Sequence, residues 1–162
     1  MKTLTAWMDA NLTVQGYTLT AGQSRALRFG LRWSTGACMA LAAAALLLQS
    51  EIFILMLVPI GIVAGWTSRH PFDLIWNYGL RHLTGSPALP PNPQRRRHAF
   101  KLATIFLVAI GLLFAFGYAT VALILGALMV AVCGLVTSVN FCVPSTMLNI
   151  VDTKRNERRG SS

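Results

Sequence analysis

Four long apolar runs, with every cluster of basic residues on one side of them, constrain this chain to a bundle of membrane-spanning helices. The fourteen Lys and Arg residues sit in an N-terminal stretch (Lys2, Arg25, Arg28, Arg32), a central loop (Arg69, Arg81, Arg95, Arg96, Arg97, Lys101) and a C-terminal tail (Lys154, Arg155, Arg158, Arg159). The two short turns between paired runs, Gln49-Ser50-Glu51 and Gly117-Tyr118, contain none. This is the positive-inside pattern, and it places both termini and the central loop in the cytoplasm. Charged residues make up 12% of the chain, about half the share usual for soluble domains. The formal net charge of +9 therefore points to anionic lipid head groups on the cytoplasmic side rather than to nucleic acid, because the basic residues flank the spans.

Hydropathy places the spans at about 31–49, 52–67, 100–116 and 119–139. About twenty residues are needed to cross ~30 Å of hydrocarbon, so the second and third are short. Pro59 predicts a kink in the second. Trp33 and Trp66 at the basic ends and Tyr118 at the opposite end suit an aromatic belt. Small residues four apart (Gly36, Ala40 and Ala44, Gly61 and Gly65, Gly111 and Ala115, Ala122 and Gly126) suit close helix packing, within the bundle in preference to a dedicated oligomer face.

Outside the spans, residues 3–13 carry Leu4, Trp7, Met8 and Leu12 at helical spacing and predict a short interfacial helix ending at Gly16. Ser24 is the expected N-cap of the first span. In the central loop, Pro71 and Asp73 suit a first helical turn, and Phe72, Ile75, Trp76, Leu80 and Leu83 form an apolar stripe opposite Asp73, Asn77 and Arg81. The spacing predicts an amphipathic helix over 71–83, its apolar stripe on the membrane interface. A proline-rich connector follows and leads into Arg95-Arg96-Arg97-His98. Residues 145–162 read as a cytoplasmic tail, disordered at Gly160-Ser161-Ser162. No cleavable signal peptide is expected, since no apolar run begins before about residue 36.

The span interiors carry no Asp, Glu, Lys, Arg or His, which disfavours an ion- or proton-coupled transporter. His70, His82 and His98 all lie in the loop, which disfavours haem, and His70 with Asp73 supplies too few ligands for a metal, so no cofactor is expected. Cys38 and Cys133 read as small packing residues. Cys142 stands where the last span emerges, in Asn140-Phe141-Cys142-Val143-Pro144-Ser145, a C-x-x-S pattern at an expected helix C-terminus. It is the one candidate reactive thiol.

Four of these motifs in order, Asp9-Ala10-Asn11 with Gln15-Gly16, His70-Pro71-Phe72-Asp73, the proline connector into Arg95-Arg96-Arg97, and Asn140 to Ser145, give a chain that resembles the bacterial integral-membrane family called domain of unknown function 4395. The resemblance implies a four-span inner-membrane fold and no settled activity. It also implies that many relatives have a second cysteine where this chain has Ser145, and that some accompany thioredoxin-like or sulfurtransferase partners.

The expectation is thus an all-α, multi-pass protein of the bacterial inner membrane, with four spans as two hairpins and an interfacial helix between them. Asn11, Gln15, His70, Asp73, Trp76, Arg81, Arg95, Arg96, Arg97 and Asn140 are expected on its cytoplasmic face, turned to lipid or to other membrane subunits. A non-enzymatic accessory subunit is the first functional expectation. A thiol or sulfur-transfer component using Cys142 is the second, and a small-molecule channel or exporter the weakest.

Overall fold

The computed structural model describes residues 2–160, and all regular structure among them is helical. In chain order the elements are α1 (Lys2–Val14), α2 (Ala21–Leu47), α3 (Glu51–Met56), α4 (Val58–Trp66), α5 (Pro71–Ile75), a π-helical turn over Trp76–Leu80, α6 (Arg81–Thr84), α7 (Gln94–Ala115), α8 (Ala119–Val139) and α9 (Val143–Gly160). Three helices are long and apolar enough to cross a membrane, over Gly22–Leu47, Gln94–Ala115 and Ala119–Val139. The expected second span, α3 with α4, is shorter and passes the same test only together with the segment Pro71–Thr84, into which it bends by 80°. Helices of this length and composition fit a multi-pass membrane protein.

The fourth span falls at its expected place, and the others differ for identifiable reasons. The second breaks at Leu57, two residues before Pro59, whose missing N–H and bulky ring disrupt the preceding turn. The first begins ten residues earlier than its hydropathy limit, because Thr20 rather than Ser24 caps it. The Thr20 hydroxyl accepts from the Gln23 N–H and the Gln23 side chain accepts from the Thr20 N–H, a capping box. Ser24 lies buried inside the helix. The third starts at Gln94, so Arg95, Arg96, Arg97 and Lys101 ride on α7 instead of preceding it. Hydropathy ends where charge begins, whereas backbone hydrogen bonding continues until a residue stops it.

The interhelical turns follow from backbone chemistry. Gly16 (φ 97°) and Gly117 (φ 81°) take the left-handed conformation that closes α1 and α7. The segment 145–160, expected as a tail, belongs to α9; Ser161 and Ser162 lie outside the described residues.

The largest interfaces join elements of different hairpins, α4 with α7 and α2 with α8, and α7 also packs on α8. Glycines permit these approaches. Gly61 and Gly65 face Thr104 and Lys101 of α7, Gly111 faces Leu55, and Gly126 faces Leu46. These four glycines thus serve contacts within the chain, whereas Ala40 and Ala115 of the same small-residue sets are exposed. One core, including Ala45, Ile54, Ile110 and Ala122, fills the spans. A second, of Leu12, Tyr17, Leu27, Leu31, Trp76 and Leu89, lies at the basic end. There Trp76 packs against Gly30 of α2, which leaves no room for a β-carbon.

The segment 71–84 is helical, but its two faces do not separate as expected: part of the apolar stripe stays exposed, as a stripe on the membrane interface would be, while Trp76 of that stripe is buried together with residues of the polar face. Asp73, Asn77 and Trp76 are buried, while Ile75 and Leu83 of the apolar stripe are exposed. Beside a membrane an apolar face need not turn inward, and polar groups gain more by meeting partners inside the protein.

Candidate functional site

Two hydrogen-bonded clusters occupy the basic end of the bundle. The first centres on α7. Arg96 is 4% exposed and Asp73 5%, yet their charges are linked through intermediates. Arg96 Nη1 donates to the Tyr17 hydroxyl (2.7 Å), which donates to Asn92 Oδ1 (2.9 Å), and Asn92 Nδ2 donates to Asp73 Oδ2 (2.6 Å). Arg96 Nη2 donates to the Leu31 carbonyl (2.7 Å) and to Thr35 Oγ1 (3.2 Å). The guanidinium also lies over the rings of Tyr17 and Phe100, at 5.5 and 5.6 Å. Burial pushes the Tyr17 phenol above its usual pKa, against the opposing pull of the Arg96 charge.

Asp73 closes the cluster on α5. Its Oδ2 accepts the His70 N–H (3.1 Å) while His70 Nδ1 accepts the Phe72 N–H (3.2 Å), a capping box in which histidine is the N-cap. With Nδ1 committed as acceptor, the neutral ring carries its proton on Nε2, which points to Cys38 Sγ at 3.4 Å. Burial drives the His70 pKa down to about 4; the Asp73 charge opposes this and the Arg96 charge adds to it.

A stability prediction follows from that shift. Above the unfolded value near 6.5 both states hold a neutral His70. Below it the unfolded chain binds a proton that the native chain excludes, so stability falls as pH falls, until the native ring also protonates near 4. The loss should reach about 2 kcal/mol by pH 5. Thermal unfolding of the detergent-solubilised protein from pH 7.5 to 5 checks it, with His70→Gln losing most of the slope.

The second cluster clasps the end of α8. Asn140 adopts a left-handed conformation (φ 57°), and carbonyls of the last turn are left without helical partners. Asn11 Nδ2 donates to the Val139 carbonyl (3.1 Å) and Gln15 Nε2 to the Asn140 carbonyl (2.6 Å). Arg32 Nε donates to Asn140 Oδ1 (3.2 Å). Arg95 Nη1 donates to Asn149 Oδ1 (2.7 Å) and to the Val14 carbonyl (3.4 Å), and Arg97 Nη2 to the Trp66 carbonyl (2.7 Å).

Most of the candidate residues therefore converge, but inward. Gln15, His70, Asp73, Trp76, Arg96 and Asn140 are buried within the chain. Asn11, Arg81, Arg95 and Arg97 are half-buried. Arg81 joins neither cluster through a hydrogen bond among the described residues. Charged groups absent from the span interiors are thus present, buried, at the bundle's basic end. Tyr17 and Asn92, both central, escaped sequence reading. The one signal was Asn92 itself: among Pro90-Pro91-Asn92-Pro93 it alone has a backbone N–H, which donates to the Ser68 carbonyl (2.7 Å).

Cys142 is not at a helix C-terminus. The Asn140 turn ends α8, and Cys142 immediately precedes α9, its carbonyl accepting the Thr146 N–H (2.9 Å). Pro144 stands in the first turn of α9, where a missing N–H costs nothing. The Ser145 hydroxyl donates to Cys142 Sγ (3.2 Å). Cys142 also lines a cavity of about 260 Å³ between α7, α8 and the start of α9, with Gln15, Arg96 and Cys133 in the same wall. A smaller cavity of about 70 Å³ lies between Cys38, His70, Thr104 and Cys133.

A family model, Domain of unknown function (DUF4395), matches residues 28–152, which include both arms of the first cluster and the Cys142 turn. The chain belongs to the DUF4395 family. No curated protein and no solved structure matches it. Asn11, Gln15 and Tyr17 lie before the matched region, as does the first of the four motifs that carry the resemblance.

Proposed function

We propose that this DUF4395 protein is a non-catalytic accessory subunit of a membrane complex in the bacterial cytoplasmic membrane, with its basic end and both termini in the cytoplasm. The observation that carries this reading is the use of its polar side chains. Asn11, Gln15, Arg95 and Arg97 all donate to carbonyls in the last turns of other helices or just beyond them, and Arg96 to that of Leu31. Groups so engaged fix helix ends and are not free to act on a substrate. The orientation rests on the basic residues at one end of all four spans. Purification from native membranes in mild detergent tests the reading. Co-migration with larger membrane proteins is expected; migration solely as a free small protein overturns it.

A second reading is favoured by the Cys142 geometry: a sulfur-transfer component served by a soluble thioredoxin-like or sulfurtransferase partner. The Cys142 thiolate would attack the outer sulfur of a donor persulfide, forming a Cys142 persulfide and releasing the donor thiolate. Its sulfur has a hydroxyl neighbour and borders a cavity. On this reading Cys142→Ala should abolish complementation of a deletion phenotype while the protein accumulates normally. Full complementation by Cys142→Ala sinks it.

A further inference from the structure

The 260 Å³ cavity has a polarity gradient that runs along the bundle axis. Its walls descend from Arg96 and Ala99 to Phe106 on α7, and from Val136 to Leu128 on α8, while Gln15 and Cys142 lie at the basic end. Ala99 to Phe106 is about 10 Å of helix. Arg96 is the one charged residue among those lining it, and the deeper walls are apolar. Leu102 and Leu128, both exposed on spanning helices, form a rim, so the cavity opens sideways toward the bilayer. An apolar space open to hydrocarbon fills with hydrocarbon, and the positive field of Arg96, whose guanidinium donors are taken by Tyr17, Leu31 and Thr35, attracts an anionic head group to that end without a direct bond. The gradient also has the direction of a lipid in the basic-side leaflet, with its head at the interface and its chain toward the bilayer centre.

We propose that this cavity is a binding site for one acyl chain of an anionic phospholipid, whose head group lies at the Arg96 end. Gln15 belongs to the second cluster and Arg96 to the first, so an occupant here lies beside the groups that tie the residue after α1 to the end of α8 and α7 to α2. Filling the cavity from its wall should expel the chain without touching either cluster. Val132 and Ala99 line it, and neither side chain takes part in the hydrogen bonds described above.

Native mass spectrometry of the full chain released from nanodiscs of mixed phosphatidylcholine and phosphatidylglycerol tests the proposal. One phospholipid should remain bound, with phosphatidylglycerol enriched at least about fivefold over its share, a difference near 1 kcal/mol. Val132→Trp and Ala99→Phe should each lose that adduct while keeping the wild-type far-UV circular dichroism spectrum. Should one variant fail to fold, the other decides. Absence of any retained lipid, retention in proportion to the bilayer mixture, or an undiminished adduct in a folded variant would each overturn the proposal.

Discussion

Arg96→Leu is expected to cost about 3–5 kcal/mol, enough to prevent accumulation of a marginally stable membrane protein. The substitution removes donors from the Tyr17 hydroxyl, the Leu31 carbonyl and Thr35, all buried. It also leaves the Asp73 carboxylate in the protein interior with only neutral donors, the Asn92 amide and the His70 N–H. Arg96→Lys should fall between the two, since an ammonium keeps the charge but cannot span three acceptors with a planar fork. The indirect link through Tyr17 and Asn92 makes a sharper prediction. Asp73→Asn should cost less in the Arg96→Leu background than in the wild type, with a coupling of about 1–3 kcal/mol. Thermal unfolding in mild detergent, with accumulation levels as a second readout, checks both. Strict additivity of the two substitutions would show that the hydrogen-bonded chain does not transmit the charge interaction.

This cluster was half legible in the sequence. His70, Asp73 and Arg96 stood out by chemical type, and charge alone assigned all three to the basic side. Their burial did not stand out, because periodicity sorts residues into two faces but does not say which polar groups find partners inside the protein, as Asp73 does in Asn92 and Arg96 in Tyr17. Ile75 and Leu83 are exposed, and Asp73 and Asn77 are buried. The capping boxes were written locally, Thr20 with Gln23 and His70 with Asp73, but the first was masked by the nearer Ser24 and the second uses an unusual histidine cap. Cys142 was misplaced because Pro144 reads equally as a residue that ends one helix or opens the next. The left-handed Asn140 decides between them, and only the backbone reveals it. Tyr17 and Asn92 come together across 75 positions, a separation that no local pattern encodes. The limits of α8 were legible, since the Gly117 turn precedes it and Asn140 stops it at the places where its apolar run also begins and ends.

Replacing Gly61 and Gly65 together by Leu should cost roughly 2–6 kcal/mol, the sum of two overpacking penalties. Helices in a bilayer gain little from hydrophobic burial against one another, so close packing bears more of the association energy than in water. At Gly65 a β-carbon would come within 2.8 Å of Lys101 Cγ and 3.2 Å of its backbone nitrogen, so α7 itself has to move. At Gly61 it would meet Thr104, whose hydroxyl is tethered to the Phe100 carbonyl at 2.8 Å and cannot swing away freely. Displacing α4 from α7 also pulls on the Arg97 bond to the Trp66 carbonyl and on Lys101, whose ammonium lies 4.9 Å from the Trp66 ring centre. The effect should therefore reach the basic end, and the pH-dependent stability assigned to His70 should weaken in the same variant. Gly22→Ala, where a β-carbon meets nothing within 4 Å, is the control and should lose no stability. Detergent thermal unfolding of the three proteins across pH decides the matter. A Gly61→Leu, Gly65→Leu protein as stable as the Gly22→Ala control would mean that α4 and α7 do not meet through these glycines.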